Sequence, residues 1–401
     1  PLETLGQKHE GSHHNKPVKT VDSSALCPQK QENPFIFFRQ TEIISYRGYP
    51  AEEYNVETED GYILTIQRIP HGKENENDTG PKPVVFLQHG LLADASNWIT
   101  NMANNSLGFI LADAGYDVWM GNSRGNTWSK QHKTLSVKQK EFWAFSYDEM
   151  AKYDLPAVIN FIVQKTGQEQ VYYVGHSQGT TIAFIAFSTM PQLARRIKLY
   201  FALAPVASPK HVKSPLAKLR LFSDTTIKIL FGNKEFLPHT YFGEVISAEI
   251  CSCPISEYVC SNVMFILTGF DPSNLNMSRV DVYAAHAPAG TSVQNMIHWK
   301  QSIQSGVLKA YDGGRKYNMA HYNQTIPLIY NVADMKVPTA VWSGENDWLA
   351  TPTDVNFLLP EIRNLIYNKR IHNWNHLDFL WGLDAPELMY KEIINLMKKY
   401  P

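Results

Sequence analysis

The chain has 401 residues, of which 44% are hydrophobic and 19% charged, and its formal net charge at pH 7 is −1. This composition is typical of a globular chain and excludes a disordered one. The near-neutral charge gives no electrostatic reason to expect a nucleic-acid partner, and no apolar run approaches the roughly 18 residues of a transmembrane helix. The length exceeds that of an ordinary single core, so we expect one large domain with an insertion, or two domains.

The first 40 residues are polar and irregular, and they are expected to form a flexible N-terminal segment. Ordered structure is expected to begin near Thr41. Two strands are then predicted, Tyr54–Thr58 and Tyr62–Ile69, joined into a hairpin by the Asp60-Gly61 turn pair.

Short apolar runs then alternate with helical stretches. One helix is predicted from about Leu155 to Lys165, with Asp154 as its N-cap and Gly167 as its stop, and the last helix opens at Asp384. Apolar strands separated by helices indicate an α/β fold with a mostly parallel sheet covered on both faces. The strand candidates are Val84–Gln88, Asp117–Met120, Val171–Val174, Leu199–Leu203, Thr339–Trp342 and Leu365–Tyr367.

The alternation of strands and helices stops between residues 208 and 331. This stretch contains several prolines and three of the four cysteines. We interpret it as an insertion that caps the carboxyl edge of the sheet, where α/β sheets bind ligands. The predicted organisation is therefore a core made of residues 41–207 and 332–401, with a cap over residues 208–331.

The four cysteines are Cys27, Cys251, Cys253 and Cys260, and they permit three full pairings. A local Cys251–Cys260 bridge is easy to close, whereas a Cys251–Cys253 bridge would be strained. The residues around them do not supply the further ligands that a zinc site needs.

The stretch that carries the chemistry is VYYVGHSQGTTIAFIAF, which starts at Val171. An apolar strand runs into Gly175-His-Ser177-Gln-Gly179, and a small-residue apolar helix follows at once. Strand, G-x-S-x-G and helix together predict a nucleophile elbow, in which the turn exposes the Ser177 hydroxyl at the edge of the sheet. The glycines are needed because a Cβ two residues before or after the serine would collide with the neighbouring strand and helix.

A second G-x-S-x-G also follows a strand, with Ser123 at its centre. The residues after it, NTWSKQHKTLSVKQK, are polar and predict no helix packed on the sheet. A nucleophile elbow must lead directly into such a helix, so the sequence favours Ser177 as the nucleophile over Ser123.

A serine nucleophile needs a base, and in this architecture a carboxylate and then a histidine follow it along the chain. Asp347 comes after the strand Thr339–Trp342 and is favoured over its neighbour Glu345. After the next strand come two histidines, His372 and His376, and His376 is favoured because it stands just before the final helical region.

Backbone N–H groups are expected to stabilise the oxyanion. The loop that follows the strand Val84–Gln88 offers the N–H of Leu91, and the elbow offers that of Gln178. His89 is expected to shape this loop, and His176 to contribute to packing. No metal or organic cofactor is expected.

Four N-x-S/T sequons, at Asn77, Asn104, Asn276 and Asn323, are candidate glycosylation sites. Their number is close to what chance would give, so by themselves they are weak evidence for secretion.

Long motifs of the chain resemble those of the acid lipase family, which includes lysosomal and gastric lipases. The segments are HGLLADASNW, GYDVWMGNSRGNTWS, FWAFSYDEMAKYDLPA, YYVGHSQGTT, APAGTSVQN and NHLDFLWGLDAP, and the resemblance runs from about Glu42 to the C-terminus. It implies an α/β-hydrolase core with a mainly helical cap and a mobile lid. It also implies hydrolysis of triacylglycerols or cholesteryl esters at acidic pH.

The resemblance assigns residues by position. It implies a triad of Ser177, Asp347 and His376, with Leu91 and Gln178 as oxyanion donors. It implies a Cys251–Cys260 disulfide in the cap and glycosylation at Asn104, Asn276 and Asn323. It further implies entry into the secretory pathway, with the lysosomal lumen favoured over secretion. The first 40 residues and the stretch Lys210–Val259 depart most from the family pattern.

We therefore expect a monomeric lipase that acts on neutral lipids at a lipid–water interface through a Ser-His-Asp acyl-enzyme mechanism. One alternative is a carboxylesterase for smaller esters. The other is a lipid-binding protein with this fold and no turnover.

Overall fold

The apolar strands of the sequence lie in one sheet of a computed structural model that describes residues 33–75, 80–239, 251 and 254–401. The strand order is β1-β2-β4-β3-β6-β7-β10-β11, with β5 paired to β2, and β8 and β9 form a separate two-stranded sheet. The strands are β1 (Glu52–Glu57), β2 (Tyr62–Ile69), β3 (Val84–Gln88), β4 (Asp117–Met120), β5 (Gln131–His132), β6 (Val171–His176), β7 (Ile197–Leu203), β8 (Glu235–Phe236), β9 (Thr291–Ser292), β10 (Thr339–Gly344) and β11 (Leu365–Ile371).

The six strands from β4 across to β11 are parallel, while β1, β2 and β5 pair antiparallel at one side. This confirms the predicted mostly parallel sheet. Every residue of β3, β4, β6 and β10 is buried, because helices cover both faces. The sequence predicted β11 only as far as Tyr367. Beyond that residue the edge strand continues mainly with polar residues, so no apolar run marks this part as a strand.

Helices connect the strands. The α-helices are α1 (Gln40–Tyr46), α2 (Leu107–Asp113), α3 (Tyr147–Glu149), α4 (Leu155–Thr166), α5 (Gln178–Thr189), α6 (Pro191–Ala194), α7 (Asp224–Phe231), α8 (Pro254–Thr268), α9 (Val280–His286), α10 (Val293–Ser305), α11 (Arg315–Tyr322), α12 (Pro352–Leu358), α13 (Asp378–Trp381) and α14 (Lys391–Lys399). Single π-helical turns at Met150–Asp154 and Pro386–Tyr390 lead into α4 and α14.

Asp154 is not the N-cap that the sequence predicted. It lies inside a continuous helix that runs from α3 through the π-helical turn into α4, and it makes no capping hydrogen bond. Its carboxylate instead accepts hydrogen bonds from the backbone N–H and the guanidinium of Arg124, at 3.1 and 2.8 Å. A buried guanidinium is a stronger hydrogen-bond partner for a carboxylate than backbone N–H groups, and inside a continuous helix those N–H groups already have acceptors.

Packed chain begins before the predicted boundary at residue 40. Phe35 and Ile36 lie in the 3₁₀ turn Pro34–Ile36 and are buried. The Arg279 guanidinium lies 4.5 Å from the centre of the Phe35 ring. The expectation of a flexible segment is therefore corrected for residues 34–40, because Phe35 and Ile36 pack away from water. Residues 1–32 lie outside the described part of the chain.

Residues 208–331 contain helices α7 to α11 and the small β8–β9 sheet. A disulfide joins Cys251 to Cys260, the pair that the resemblance implied. Cys27, Cys253 and Asn77 lie outside the described residues. The Ser292 hydroxyl donates to the carbonyl of Phe145 at 2.5 Å, so the insertion contacts the sheet-bearing part of the chain directly. The division into core and cap remains a prediction.

Arg124 is a deeply buried cation. It is 1% exposed and binds Asp60 at 2.6 Å and Asp154 at 2.7 Å. It belongs to the second G-x-S-x-G segment, and it ties the β1–β2 turn to the helix that leads into α4. This ion-pair network gives the second G-x-S-x-G segment a structural role.

We predict that Arg124→Met lowers the free energy of unfolding by about 3–5 kcal/mol, because it leaves the buried carboxylate of Asp154 without its cationic partner. Urea denaturation measures the change. The control is Lys133→Met, which breaks the exposed Lys133–Glu57 pair and should cost no more than about 1 kcal/mol. Equal effects of the two substitutions would contradict this assignment.

Candidate active site

Ser177 stands between β6 and α5 in a strained backbone conformation, with φ +54° and ψ −120°. The turn leaves no room for a side chain two positions before or after the serine. A Cβ on Gly175 would lie 2.9 Å from the carbonyl of Gly179, and one on Gly179 would lie 2.4 Å from the carbonyl oxygen of Gln88. The elbow geometry that the sequence predicted is therefore present at Ser177.

Asp347 and His376 meet at the carboxyl ends of β10 and β11. His376 Nδ1 lies 2.8 Å from Asp347 Oδ2. The other carboxylate oxygen accepts the backbone N–H groups of Leu349 and Ala350, both at 2.8 Å. The carboxylate is fully buried and cannot rotate without losing these bonds. The carboxylate therefore holds the imidazole ring of His376 in one orientation through Nδ1.

The other nitrogen of His376, Nε2, is buried and has no hydrogen-bond partner among the described residues. His376 and Ser177 line the same cavity, together with Gly90 and Leu91. A histidine held through Nδ1 by a carboxylate, with Nε2 left open beside a serine, can take a proton from that serine.

His176 positions the segment that carries His376. Its Nε2–H donates to the backbone carbonyl of His376 at 2.8 Å. Burial lowers the pKa of His176 well below its ordinary value, and the neighbouring His376 lowers it further, so this ring is neutral. The interpretation of His176 as a packing residue agrees with this contact.

The rejected candidates lie elsewhere. His372 and Glu345 pair with each other at the surface, and the side chain of His372 is 79% exposed. Ser123 is buried, its hydroxyl accepts from the Gln88 side chain, and its N–H donates to His89 Nε2 at 3.0 Å. His89 thereby fixes the loop after β3, the role that the sequence suggested.

Leu91 and Gln178 occupy the two places predicted for oxyanion donors. Leu91 follows β3 in a loop where Leu92 has φ +59°, and the Leu92 carbonyl accepts the N–H of Ala289 at 2.8 Å. Gln178 is the first residue of α5, at the positive end of the helix dipole.

Burial also affects carboxyl groups near the site. It raises the pKa of Asp378 to about 8, and the nearby Asp271 and Asp384 add to the shift. Asp378 accepts the N–H of Asn375 at 2.5 Å. The segment around His376 thus contains a carboxyl group that binds a proton near neutral pH.

The cavity above Ser177 has a volume of about 550 Å³. Its lining is mainly apolar and comes from both the sheet loops and the insertion, including Leu91, Val206, Leu216, Val263, Met296, Trp299 and Ile303. A cavity of this size and lining fits a hydrophobic ligand with one polar reacting group.

Three further observations bear on the sequence predictions. Asn104 and Asn323 are exposed, whereas Asn276 is half-buried and accepts from the Ser278 N–H and hydroxyl. In the described ranges, no group of three or more His, Cys, Asp or Glu side chains could hold a metal ion. None of the helices in the described part of the chain is long and apolar enough to span a membrane.

The chain is similar to known α/β-hydrolases and lipases. The family model "alpha/beta hydrolase fold" matches residues 83–383, and "Partial alpha/beta-hydrolase lipase region" matches residues 40–102. Lysosomal acid lipase/cholesteryl ester hydrolase of Macaca fascicularis is 65% identical over 369 residues, which cover 92% of each chain. Gastric triacylglycerol lipase of Homo sapiens is 57% identical over 368 residues, again 92% of each chain.

A solved structure with the same fold is epoxide hydrolase I of potato (Solanum tuberosum), with a TM-score of 0.51 and 15% identity, covering 88% of this chain and 100% of that one. At this identity the likeness concerns the fold alone. The site and the fold together define a serine hydrolase of the α/β-hydrolase class. Within that class, the chain belongs to the acid lipase family.

Sequence reasoning missed the residues that hold Gln178. Its side-chain oxygen accepts hydrogen bonds from Asn295 and Trp299 of the insertion. The motif APAGTSVQN ends in Asn295, but no local pattern connects that residue to an elbow more than a hundred positions earlier.

We predict that Asp378→Asn makes stability less dependent on pH. A folded-state pKa of about 8 exceeds the ordinary value of about 4, so the folded chain holds a proton that the unfolded chain lacks between these pH values. Stability is therefore lost as pH rises through the folded-state pKa. Asparagine carries no charge and keeps an oxygen for the Asn375 N–H.

The melting temperature at pH 5 and pH 8 measures this effect. The difference between the two pH values should be smaller in Asp378→Asn than in the unchanged protein. The exposed Asp334→Asn serves as the control and should leave the difference unaltered. An unaltered difference in Asp378→Asn would show that this carboxyl does not titrate in that range.

Proposed function

We propose that this chain is a lipase that hydrolyses the carboxylic esters of neutral lipids, triacylglycerols or cholesteryl esters, through a covalent acyl-enzyme. The observation that carries the proposal is the buried Asp347–His376 pair, with the free Nε2 of His376 at the cavity that Ser177 lines. The names of the two relatives, a cholesteryl ester hydrolase and a triacylglycerol lipase, support the substrate class.

In the proposed mechanism, His376 Nε2 takes the proton of the Ser177 hydroxyl as its oxygen attacks the ester carbonyl. Asp347 holds the imidazole in the required tautomer and stabilises the imidazolium. The N–H groups of Leu91 and Gln178 stabilise the oxyanion of the tetrahedral intermediate. His376 then protonates the departing alcohol, and water attacks the acyl-enzyme with His376 again as base, which releases the fatty acid and frees Ser177.

The surface of the insertion supports action at a lipid–water interface. Large apolar side chains are exposed there, among them Leu221, Ile229, Leu230, Tyr258, Val259 and Val263. Exposed apolar patches often mark a site of contact with an apolar partner. At the mouth of an apolar cavity, such a patch could contact a lipid surface. We take residues 208–331 as the cap of a core made of residues 41–207 and 332–401, and the acting species as a monomer.

Buried carboxyl groups support an acidic working range. Burial raises the pKa of Asp148, Glu149 and Asp378, and it raises that of Asp154 to about 6. Carboxyl groups with raised folded-state pKa values stabilise the fold toward acid and lose that contribution as pH rises. Activity at acidic pH fits the lysosomal lumen, which we favour over secretion. Entry into the secretory pathway would be accompanied by glycosylation at Asn104, Asn276 and Asn323.

We predict that Ser177→Ala abolishes hydrolysis of emulsified triolein and cholesteryl oleate, because no other group in the elbow can form the acyl-enzyme. Triad serines typically contribute about 10⁶-fold in kcat. The control is Ser123→Ala, at the other G-x-S-x-G, which should keep activity if it folds. A fluorophosphonate should modify Ser177 in the native enzyme, and absence of labelling would favour a lipid-binding protein without turnover.

The two histidines of the same segment provide a second test. His376→Gln should lose activity on a soluble ester nearly as completely as Ser177→Ala, whereas His372→Gln should keep it, since His372 pairs with Glu345 at the surface. Rates on p-nitrophenyl butyrate measure both variants. A carboxylesterase, unlike the proposed lipase, should show no rise in rate when the ester exceeds its saturation concentration.

A further inference from the structure

The side chain of Gln178 is held by a helix of the insertion. Gln178 follows Ser177 directly and its side chain is buried. The side-chain oxygen accepts two hydrogen bonds, from Asn295 Nδ2 at 2.9 Å and from Trp299 Nε1 at 2.7 Å. Both donors lie on α10, one helical turn apart, so one face of α10 occupies both acceptor sites of this oxygen.

Asn295 is itself fixed by other elements. Its side-chain oxygen accepts the backbone N–H of Tyr147 at 2.9 Å, and its Nδ2 also donates to the Thr291 hydroxyl at 3.1 Å. Its backbone N–H donates to the hydroxyl of Ser292 at 2.9 Å. The residue is fully buried. The Asn295 amide therefore cannot turn away from Gln178 without losing several hydrogen bonds at once.

Trp299 is constrained by ring packing. Its indole lies against the Tyr147 ring, with ring centres 5.0 Å apart. The Tyr147 ring in turn stacks on His298 at 3.8 Å. The indole N–H is thus a donor with a set direction, and Trp299 also lines the cavity.

We propose that Asn295 and Trp299 form a clamp that sets the orientation of the Gln178 peptide, and with it the aim of the Gln178 N–H at the oxyanion. They are positioning residues, because each acts on the site through the Gln178 side chain. The inference rests on the proposed function, in which that N–H is an oxyanion donor. Oxyanion donors act only within a narrow range of distances from the oxyanion. A Gln178 side chain that is anchored at its far end restrains the Gln178 peptide and so keeps its N–H within that range.

Asn295→Ala is the first test, since Asn295 does not line the cavity. The variant should show a fall in kcat on p-nitrophenyl butyrate with KM close to that of the unchanged enzyme. Loss of a whole oxyanion donor costs about 10²–10³-fold in rate, so misdirection of one should cost on the order of tenfold. Trp299→Phe keeps an aromatic ring but removes the five-membered ring that carries the N–H, and it should lower kcat in the same way.

Gln178→Met separates a clamp from a general structural role, since it removes the acceptor and keeps the backbone N–H. If the clamp acts through Gln178, adding Asn295→Ala to Gln178→Met should cost no further rate. Additive losses of kcat in the double variant would overturn the proposal. They would show that Asn295 acts through its hydrogen bond with the Tyr147 N–H instead of through Gln178. A changed KM with unchanged kcat in Asn295→Ala would overturn it too.

Trp143→Phe is the matched control, because it removes a buried indole N–H whose acceptor is the Val137 carbonyl, away from the cavity. It should leave kcat unaltered, and melting temperatures of all variants establish that each is folded. Full kcat in both Asn295→Ala and Trp299→Phe, with Ser177→Ala inactive, would overturn the clamp alone. Activity in Ser177→Ala would overturn the proposed function itself.

Discussion

The turn at Ser177 is the constraint around which the rest of the structure is arranged. A non-glycine residue at φ +54° is strained, and it persists only where the surroundings leave the chain no alternative. Here β3 approaches so closely that a Cβ on Gly179 would strike the Gln88 carbonyl. The Ser177 N–H also donates to the Leu203 carbonyl of β7, at 3.1 Å. Two neighbouring strands and α5 therefore hold the turn in place.

The same edge of the sheet brings in the acid and the base, and the insertion holds their loops. The carbonyl of Thr268, at the end of α8, accepts the N–H of Trp348 beside Asp347, at 3.1 Å, and the N–H of His376, at 3.3 Å. The next residue, Gly269, lies so close to the Asn346 carbonyl that no side chain would fit. Together with the contacts of α10 to Gln178, these bonds make residues 208–331 part of the framework that holds the site.

Much of the fold was predictable because its signals are local. Parallel strands buried on both faces appear as short apolar runs, and β2, β3 and β4 have the predicted bounds. Edge positions were less visible. The polar residues at the end of β11 belong to a strand only because β10 lies beside them. Asp154 was misread for a related reason, since its partner Arg124 is thirty residues away and a local pattern favours a helix cap.

The sequence by itself determined the elbow, the order of serine, carboxylate and histidine, and the preference for Ser177 over Ser123. These follow from chain order and from whether a helix comes directly after the turn. The sequence also favoured His376 over His372 and Asp347 over Glu345, and the tertiary structure adds a physical reason, because it buries the first pair and leaves the second in water. Only the tertiary structure placed Asn295 and Trp299 on Gln178, since a hydrogen bond between distant segments depends on how they pack and has no signature along the chain.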